Sequence, residues 1–279
     1  CFWMRVYEIP EGSRTAKGRA IQNLINIEQD DKVKAFICTK DLKDEDYINN
    51  HYVIMTTKKG QVKKTSLEQY SRPRINGINA ITIKENDELL EAKLTNGESQ
   101  VMLALKSGKA IRFEEAKTRP MGRNASGVRG IRLQHQNDEV IGMVAVNDME
   151  SNILVVSSNG YGKRSRLQDY RLTNRGGKGV KTISITEKTG DLVAVKNVDD
   201  TNGLMIINKS GIAIRMAVED LRVMGRATQG VKLINLKKGD SIAAVAKVIH
   251  EKEEEEGQEQ EEEVKDSEII NEETNSNNE

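Results

Sequence analysis

Along residues 1–250 the apolar residues come in short runs of four to eight, rich in Val and Ile and bounded by Gly, Asn, Asp and Ser. Runs of that length with those boundaries predict β-strands. In one stretch they predict four strands, Tyr52–Thr57, Gln61–Leu67, Ala80–Ile83 and Leu89–Leu94. Val101–Leu105, Ile153–Ser157 and Leu204–Asn208 open three later units in the same way, and Val140–Val146, Leu192–Val198 and Ile242–Ile249 close them. No segment before residue 250 sustains a 3.6-residue apolar period, so no long helix is expected.

The units share landmarks in a fixed order. Turn glycines stand at Gly60, Gly108, Gly160 and Gly211, spaced 48, 52 and 51 residues apart. A second glycine lies in a basic loop of each unit, at Gly18, Gly77, Gly127, Gly179 and Gly230. A basic residue follows each turn glycine by four, at Lys64, Arg112, Arg164 and Arg215, and Arg5 takes that place in the first copy. An acidic turn recurs at Asp31, Asp87, Asp138, Asp191 and Asp240. A period near fifty residues marks a radial or stacked repeat. Four strands per period favour an all-β, propeller-like disc of about five four-stranded blades over a linear solenoid, whose coils are shorter. Because no turn glycine precedes Arg5 and the chain begins at Cys1, the upstream half of a unit is expected to be missing.

Charge adds direction to this repeat. The net charge is zero, but residues 251–279 hold 14 acids and 2 bases, which leaves 41 bases and 29 acids in residues 1–250. The first region reads as the folded domain, 1–250. The second, 251–279, reads as a disordered acidic tail with too little apolar surface to fold alone. Within the domain, windows 13–27, 71–83, 116–137, 170–186 and 222–239 contain 19 Lys and Arg and no Asp or Glu. Equivalent loops of a disc lie on one rim, so a basic belt around a more acidic body is expected. Arg14, Arg123, Arg175 and Arg226 stand four residues before their loop glycines, with Arg74 offset by one. Arg and Lys in such loops suit phosphate contact with counterion release, and glycines let main-chain amides approach an anion closely. The competing reading pairs these arginines with acids of neighbouring units.

Other chemistry is thin. His51, His135 and His250 are scattered, whereas zinc needs clustered ligands. Gly177-Lys178 lacks the glycine and hydroxyl residue of a P-loop. Aromatic residues make up 4% of the chain, too few for base stacking as the main device. Phe2 and Trp3 read as packing between blades. Cys1 and Cys38 form no CxxC pair, and Cys38 reads as a buried free thiol in a reduced compartment.

Several stretches together resemble the C-terminal domain of the bacterial DNA gyrase A subunit over residues 1 to about 250. They are Met4-Arg5-Val6-Tyr7, Lys17-Gly18-Arg19, Gly60 to Thr65, Gly127 to Leu133, Asn159 to Arg164 and Gly225 to Val231. The resemblance implies a β-pinwheel, normally of six blades, that wraps double-stranded DNA non-specifically around its basic rim and biases the enzyme towards negative supercoiling. It implies DNA contacts at Arg14, Lys17, Arg19, Lys64, Arg72, Arg74, Arg119, Arg123, Arg129, Arg164, Arg171, Arg175, Gly176, Gly177, Lys178, Gly179, Lys181, Arg222, Arg226 and Lys232. The implied partners are double-stranded DNA and the remainder of gyrase A with gyrase B in an A2B2 holoenzyme, in the cytoplasm on the nucleoid and without a membrane. No cofactor is expected in this fragment, since ATP and Mg act elsewhere in such a holoenzyme. Nor is DNA cleavage, since Tyr7, Tyr47, Tyr52, Tyr70, Tyr161 and Tyr170 all lie in the β repeats or their loops. The family's heptad, Q-[KR]-R-G-G-[KR]-G, has no full copy. Thr173-Asn174-Arg175-Gly176-Gly177-Lys178-Gly179 keeps five of its seven positions, as a working or a degenerate box, so the chain reads as blades two to six. The corresponding domain of topoisomerase IV and a protein-binding propeller with an acidic partner stay open as alternatives. Whether the disc is closed, gapped or spiral is open as well.

If the tail competes with DNA for the belt, deleting residues 251–279 raises affinity for duplex DNA, most at low salt. Binding isotherms over a salt series test this, and equal affinities at every salt contradict it.

Overall fold

The computed structural model describes residues 1–13, 16–28 and 31–249. Arg14 and the tail, residues 251–279, lie outside the described residues. The strands are β1 (Tyr52–Thr57), β2 (Gln61–Ser66), β3 (Leu89–Thr95), β4 (Gln100–Leu105), β5 (Lys109–Glu114), β6 (Val128–Arg129), β7 (Val140–Val146) and β8 (Asn152–Ser157). They continue as β9 (Tyr161–Arg166), β10 (Val180–Lys181), β11 (Leu192–Val198), β12 (Asn202–Asn208), β13 (Ala213–Ala217), β14 (Val231–Lys232) and β15 (Ile242–Ile249). A short helix, α1 (Glu45–Asn50), precedes β1.

The strands form antiparallel sheets in the orders β3-β1-β2-β6, β10-β5-β4-β7, β11-β8-β9-β14 and β13-β12-β15. The expected strand at Ala80–Ile83 is absent. The corresponding two-residue strands β6, β10 and β14 do not join their own repeat either. Each reaches back to pair with the second strand of the repeat before it: Val128 with Val62, Val180 with Ala110, Val231 with Gly162. A repeat therefore supplies three strands to its own sheet and one to its neighbour's. The last sheet has three strands because no repeat among the described residues follows it.

The first repeat forms no strand among its described residues, so the expectation of five four-stranded blades becomes three four-stranded sheets and one three-stranded sheet. Its contact with the second repeat also corrects the register. Cys1 and Ile78 exchange backbone hydrogen bonds at 2.9 and 3.0 Å, as Val62 pairs with Val128. Cys1 thus stands where Val62 stands, and Trp3, not Arg5, takes the place of Lys64. Arg5 instead precedes the 3-10 turn Val6–Glu8, as Ser66 precedes Leu67–Tyr70.

The closing strands β3, β7, β11 and β15 contact one another in succession. They line the inner side, and the reach-back strands lie on the opposite edge of each sheet. Apolar clusters fill the spaces between consecutive sheets. One holds Ile54, Val62, Leu103 and Phe113; the next holds Met102, Val155, Leu167 and Tyr170; a third holds Leu154, Leu204 and Ile242. A fourth packs Trp3 and Ile37 of the first repeat against Val53, Met55 and Leu67. Sheets covered on both faces need apolar residues on both sides of a strand, which is why these runs do not alternate. Cys38 does not join this interior and is exposed.

Three of the acidic landmarks are clamps on the hairpin turns. Asp87 accepts the amide of Lys59 at 2.9 Å, Asp138 accepts the amide and hydroxyl of Ser107, and Asp240 accepts the hydroxyl of Ser210.

The basic residue four after the turn glycine latches one blade to the next at Lys64, Arg112 and Arg164. Lys64 Nζ lies 2.9 Å from Glu115 Oε1, both side chains buried, and 4.0 Å from the centre of the Tyr52 ring. Glu115 also accepts from Thr95 Oγ1 at 2.8 Å. Arg112 donates to the carbonyls of Leu167 and Tyr170, and Arg164 to the carbonyl of Leu221 and to Asp200. Removing Glu115 leaves a buried ammonium without its counter-charge. Glu115→Ala is therefore expected to lower unfolding free energy by about 3 kcal/mol, measured by urea denaturation. A change within ~0.5 kcal/mol would mean that the latch contributes nothing.

Candidate nucleic-acid interface

The acid-free windows of repeats two to five are the loops that carry or adjoin the reach-back strands. They touch one another edge to edge. Thr82 donates to the carbonyls of Asn124 and Ala125, Gly176 to Gly130 at 2.6 Å, Arg132 to Gly177 at 2.8 Å, and Ser184 to Thr228 at 3.0 Å. The four loops thus make one hydrogen-bonded edge.

Along this edge Arg72, Arg74, Arg119, Arg129, Arg171, Lys178, Lys181, Arg222 and Lys232 are exposed, as are Lys17 and Arg19 in the first repeat. Arg132 is an exposed base of the same edge that the fixed register did not single out. Arg123, Arg175 and Arg226 are half-buried, and among the described residues no acid lies within ion-pair distance of them. Two of the three bridge loops instead. Arg175 donates to the carbonyls of Lys117 and Arg129, and Arg226 to the carbonyl of Lys181. The guanidinium of one repeat thus holds the reach-back strand of the repeat before it and keeps its charge near the edge.

Two expected contacts leave the interface. Lys64 and Arg164 are buried in the latches between blades, because their strands are covered on both faces. The glycines change role as well. Gly179 has φ +71°, and a Cβ there would meet the Ala110 carbonyl oxygen at 2.5 Å; Gly230 makes the same approach to Gly162. These glycines let the loop close onto the preceding sheet. Gly176 donates its amide to Gly130, so that donor faces protein. Gly177 and Lys178 are exposed and border a shallow recess with Ile111, Arg171 and Asn174. Among the described residues no cluster of His, Cys, Asp or Glu could hold a metal ion. No described helix is long and apolar enough to cross a membrane.

Sequence reasoning missed Lys63 and Lys163, the residues just before two of the latches. Both are fully buried. Lys63 Nζ donates to the carbonyl of Ala80 at 2.6 Å and to that of Arg123. Lys163 Nζ donates to the carbonyl of Gly225 at 2.5 Å and to Thr228 Oγ1 at 3.1 Å. Each ammonium braces the basic loop of the following repeat from beneath. Burial, with Arg123 nearby, pushes Lys63 down to about 8. Burial, with Arg226 outweighing Asp169, brings Lys163 to about 8. The signal was two adjacent bases within a predicted strand, since alternating side chains send one of them to each face.

The class defined here is a propeller-like repeat domain whose sheets are completed by strand exchange and whose exchange loops form a basic edge. The chain belongs to the DNA gyrase C-terminal domain, beta-propeller family, whose model matches residues 1–40, 51–96, 101–147, 151–199 and 204–249. It is 43% identical over 250 residues to the DNA gyrase A subunit of Chlamydia muridarum, covering 89% of this chain and 29% of that protein. It is 41% identical over 281 residues to the DNA gyrase A subunit of Staphylococcus aureus (strain MRSA252), covering 98% and 31%. The chain thus spans under a third of the length of these relatives. In fold it is similar to the C-terminal domain of DNA topoisomerase IV (TM-score 0.78, 23% identity, 88% of this chain and 74% of that one). It is also similar to a DNA gyrase A C-terminal domain (TM-score 0.73, 24% identity, 84% and 76%). The resemblance drawn from the sequence is borne out, and the fold is an all-β pinwheel.

The lysine braces have a measurable signature. Their pKa falls from 10.5 in the open chain to about 8 in the fold, so between these values the unfolded chain binds more protons. Stability then rises with pH across that window. The wild type is expected to gain stability relative to a Lys63→Met, Lys163→Met variant as pH rises from about 8 to about 10.5, followed by urea melts. Parallel profiles would show that these amines are not desolvated.

Proposed function

We propose that this domain binds duplex DNA without sequence preference and bends it around the edge formed by the basic loops. The observation that carries the reading is that edge: hydrogen-bonded loops without a single Asp or Glu, each presenting exposed bases. Membership in the gyrase C-terminal domain family and 41–43% identity to gyrase A chains support it.

The energetics are adequate. A body of this size has a radius of about 23 Å, which puts a bound DNA axis near ~33 Å and a half-turn at about 30 base pairs. Such a bend costs roughly 10–25 kcal/mol. Charge-assisted contacts contribute about 1.5–3 kcal/mol each, so around ten are needed. The eleven exposed bases foreseen from the sequence, with Arg132 beside them, are of that number. Binding of this kind has a steep salt slope and little base reading.

In the whole protein the domain presents a DNA crossing to a strand-passage core built from the rest of gyrase A and gyrase B, where ATP and Mg act. The domain itself cleaves nothing. Buried Tyr70 and Tyr170 use their hydroxyls on Ala80 and Thr182.

Arg129→Glu, Lys178→Glu and Lys232→Glu together reverse three exposed charges without touching the latches or the loop-bridging arginines. This variant is expected to lose bending of an about 100-base-pair duplex and to flatten the salt slope, read by energy transfer between labelled DNA ends. Unchanged bending with a native melting curve would refute the reading.

A further inference from the structure

In four repeats an arginine of the basic loop is followed at once by an apolar residue: Arg72-Pro73, Arg119-Pro120, Arg171-Leu172 and Arg222-Val223. All eight residues are exposed, with Leu172 and Val223 at 44% and 41%. Single exposed aliphatic residues are ordinary, but here the exposure recurs at one place in the repeat. Leu172 and Val223 belong to none of the cores between blades.

The backbone beneath is fixed. Pro120, Leu172 and Val223 form parallel bridges to the latch residues Lys64, Arg112 and Arg164. The next amide in each loop donates to the same latch residue's carbonyl: Met121 to Lys64 at 2.8 Å, Thr173 to Arg112 at 2.9 Å and Met224 to Arg164 at 2.8 Å. Three of the four dipeptides, all but Arg72-Pro73, are therefore held on the sheet of the preceding repeat.

We propose that these apolar residues are a second kind of DNA contact, pressing on the sugar edges of the minor groove once per blade while the adjacent arginine holds a flanking phosphate. This rests on the DNA-bending reading above. Two arguments choose the occupant. The residues sit inside acid-free loops among exposed bases, so what covers them is a polyanion, and duplex DNA offers apolar deoxyribose between its phosphates. The spacing also fits. Six blades to a circle would advance a DNA axis at ~33 Å radius by about 35 Å per blade, against about 34–36 Å per helical turn. Successive blades then meet the same groove, and bent DNA turns its minor groove inward about once per turn. The apolar contact carries no charge, so it adds affinity that salt does not screen.

The test compares the wild type with a variant carrying Pro73→Ser, Pro120→Ser, Leu172→Ser and Val223→Ser, on an about 100-base-pair duplex. The serine variant is expected to melt with the wild type and keep its salt slope, yet bind about tenfold more weakly and bend the duplex less. In the wild-type complex, adenine N3 in the minor groove is expected to be protected from dimethyl sulfate about every 10 base pairs. The serine variant loses that protection. Leu172→Ser alone, at one exposed site, serves if the fourfold variant folds poorly, and is expected to lose protection at one position. Wild-type affinity and bending in the serine variant overturn the proposal, as does protection of guanine N7 in the major groove instead. A variant carrying Arg72→Gln, Arg119→Gln, Arg171→Gln and Arg222→Gln keeps the two readings apart. A wild type that bends DNA with a slope these arginines control, beside an unaffected serine variant, leaves DNA bending standing and removes the groove contact. A wild type that does not bend DNA removes both.

Discussion

Each sheet is incomplete until the next repeat supplies its outer strand. Two residues complete it in each case, Val128-Arg129, Val180-Lys181 and Val231-Lys232, paired to the second strand of the repeat before. A two-residue strand has little stability of its own, so everything around it serves to hold it in place. The loop glycine allows the close approach, the latch cation grips the next blade, and the loop arginine ties the previous strand down. The basic loops lie at one edge because strand exchange puts them there.

The second strand of each sheet carries the electrostatic consequence. Its neighbours cover it on both faces, yet its sequence includes Lys63-Lys64 and Lys163-Arg164. A buried cation is tolerated where hydrogen-bond acceptors surround it, and here the acceptors, the Ala80 carbonyl apart, come from the following repeat. Alternating side-chain direction along a strand sends one cation of each pair to the 3-10 turn or its ion-pair partner and the other to the basic loop. Blade order, loop position and buried charge thus form one coupled arrangement. None of the latch or brace contacts uses the exposed bases.

The relation to gyrase and topoisomerase IV C-terminal domains fits this division. At 23–24% identity the solved structures share the architecture, and the gyrase A chains are 41–43% identical over most of this chain.

The repeat, the strand positions and the segregation of charge were legible in the sequence, because each depends on local order along the chain. Tyr52–Thr57, Val140–Val146, Leu192–Val198 and Ile242–Ile249 coincide with strands, since Val- and Ile-rich runs between turn residues have no better alternative. The acid-free windows were visible because charge is counted by position. Which strand pairs with which was not visible, since two-residue segments such as Val180-Lys181 carry no period to read. The same limit puts Arg5 in the wrong register and leaves Lys64 and Arg164 looking like surface residues. Their spacing matches the exposed bases, and only packing between repeats determines which way each side chain points. Blades and basic loops are local features, so the order of residues was enough to specify them. Which cations build the disc and which face outward was settled only by folding, because that depends on contacts between residues about fifty positions apart.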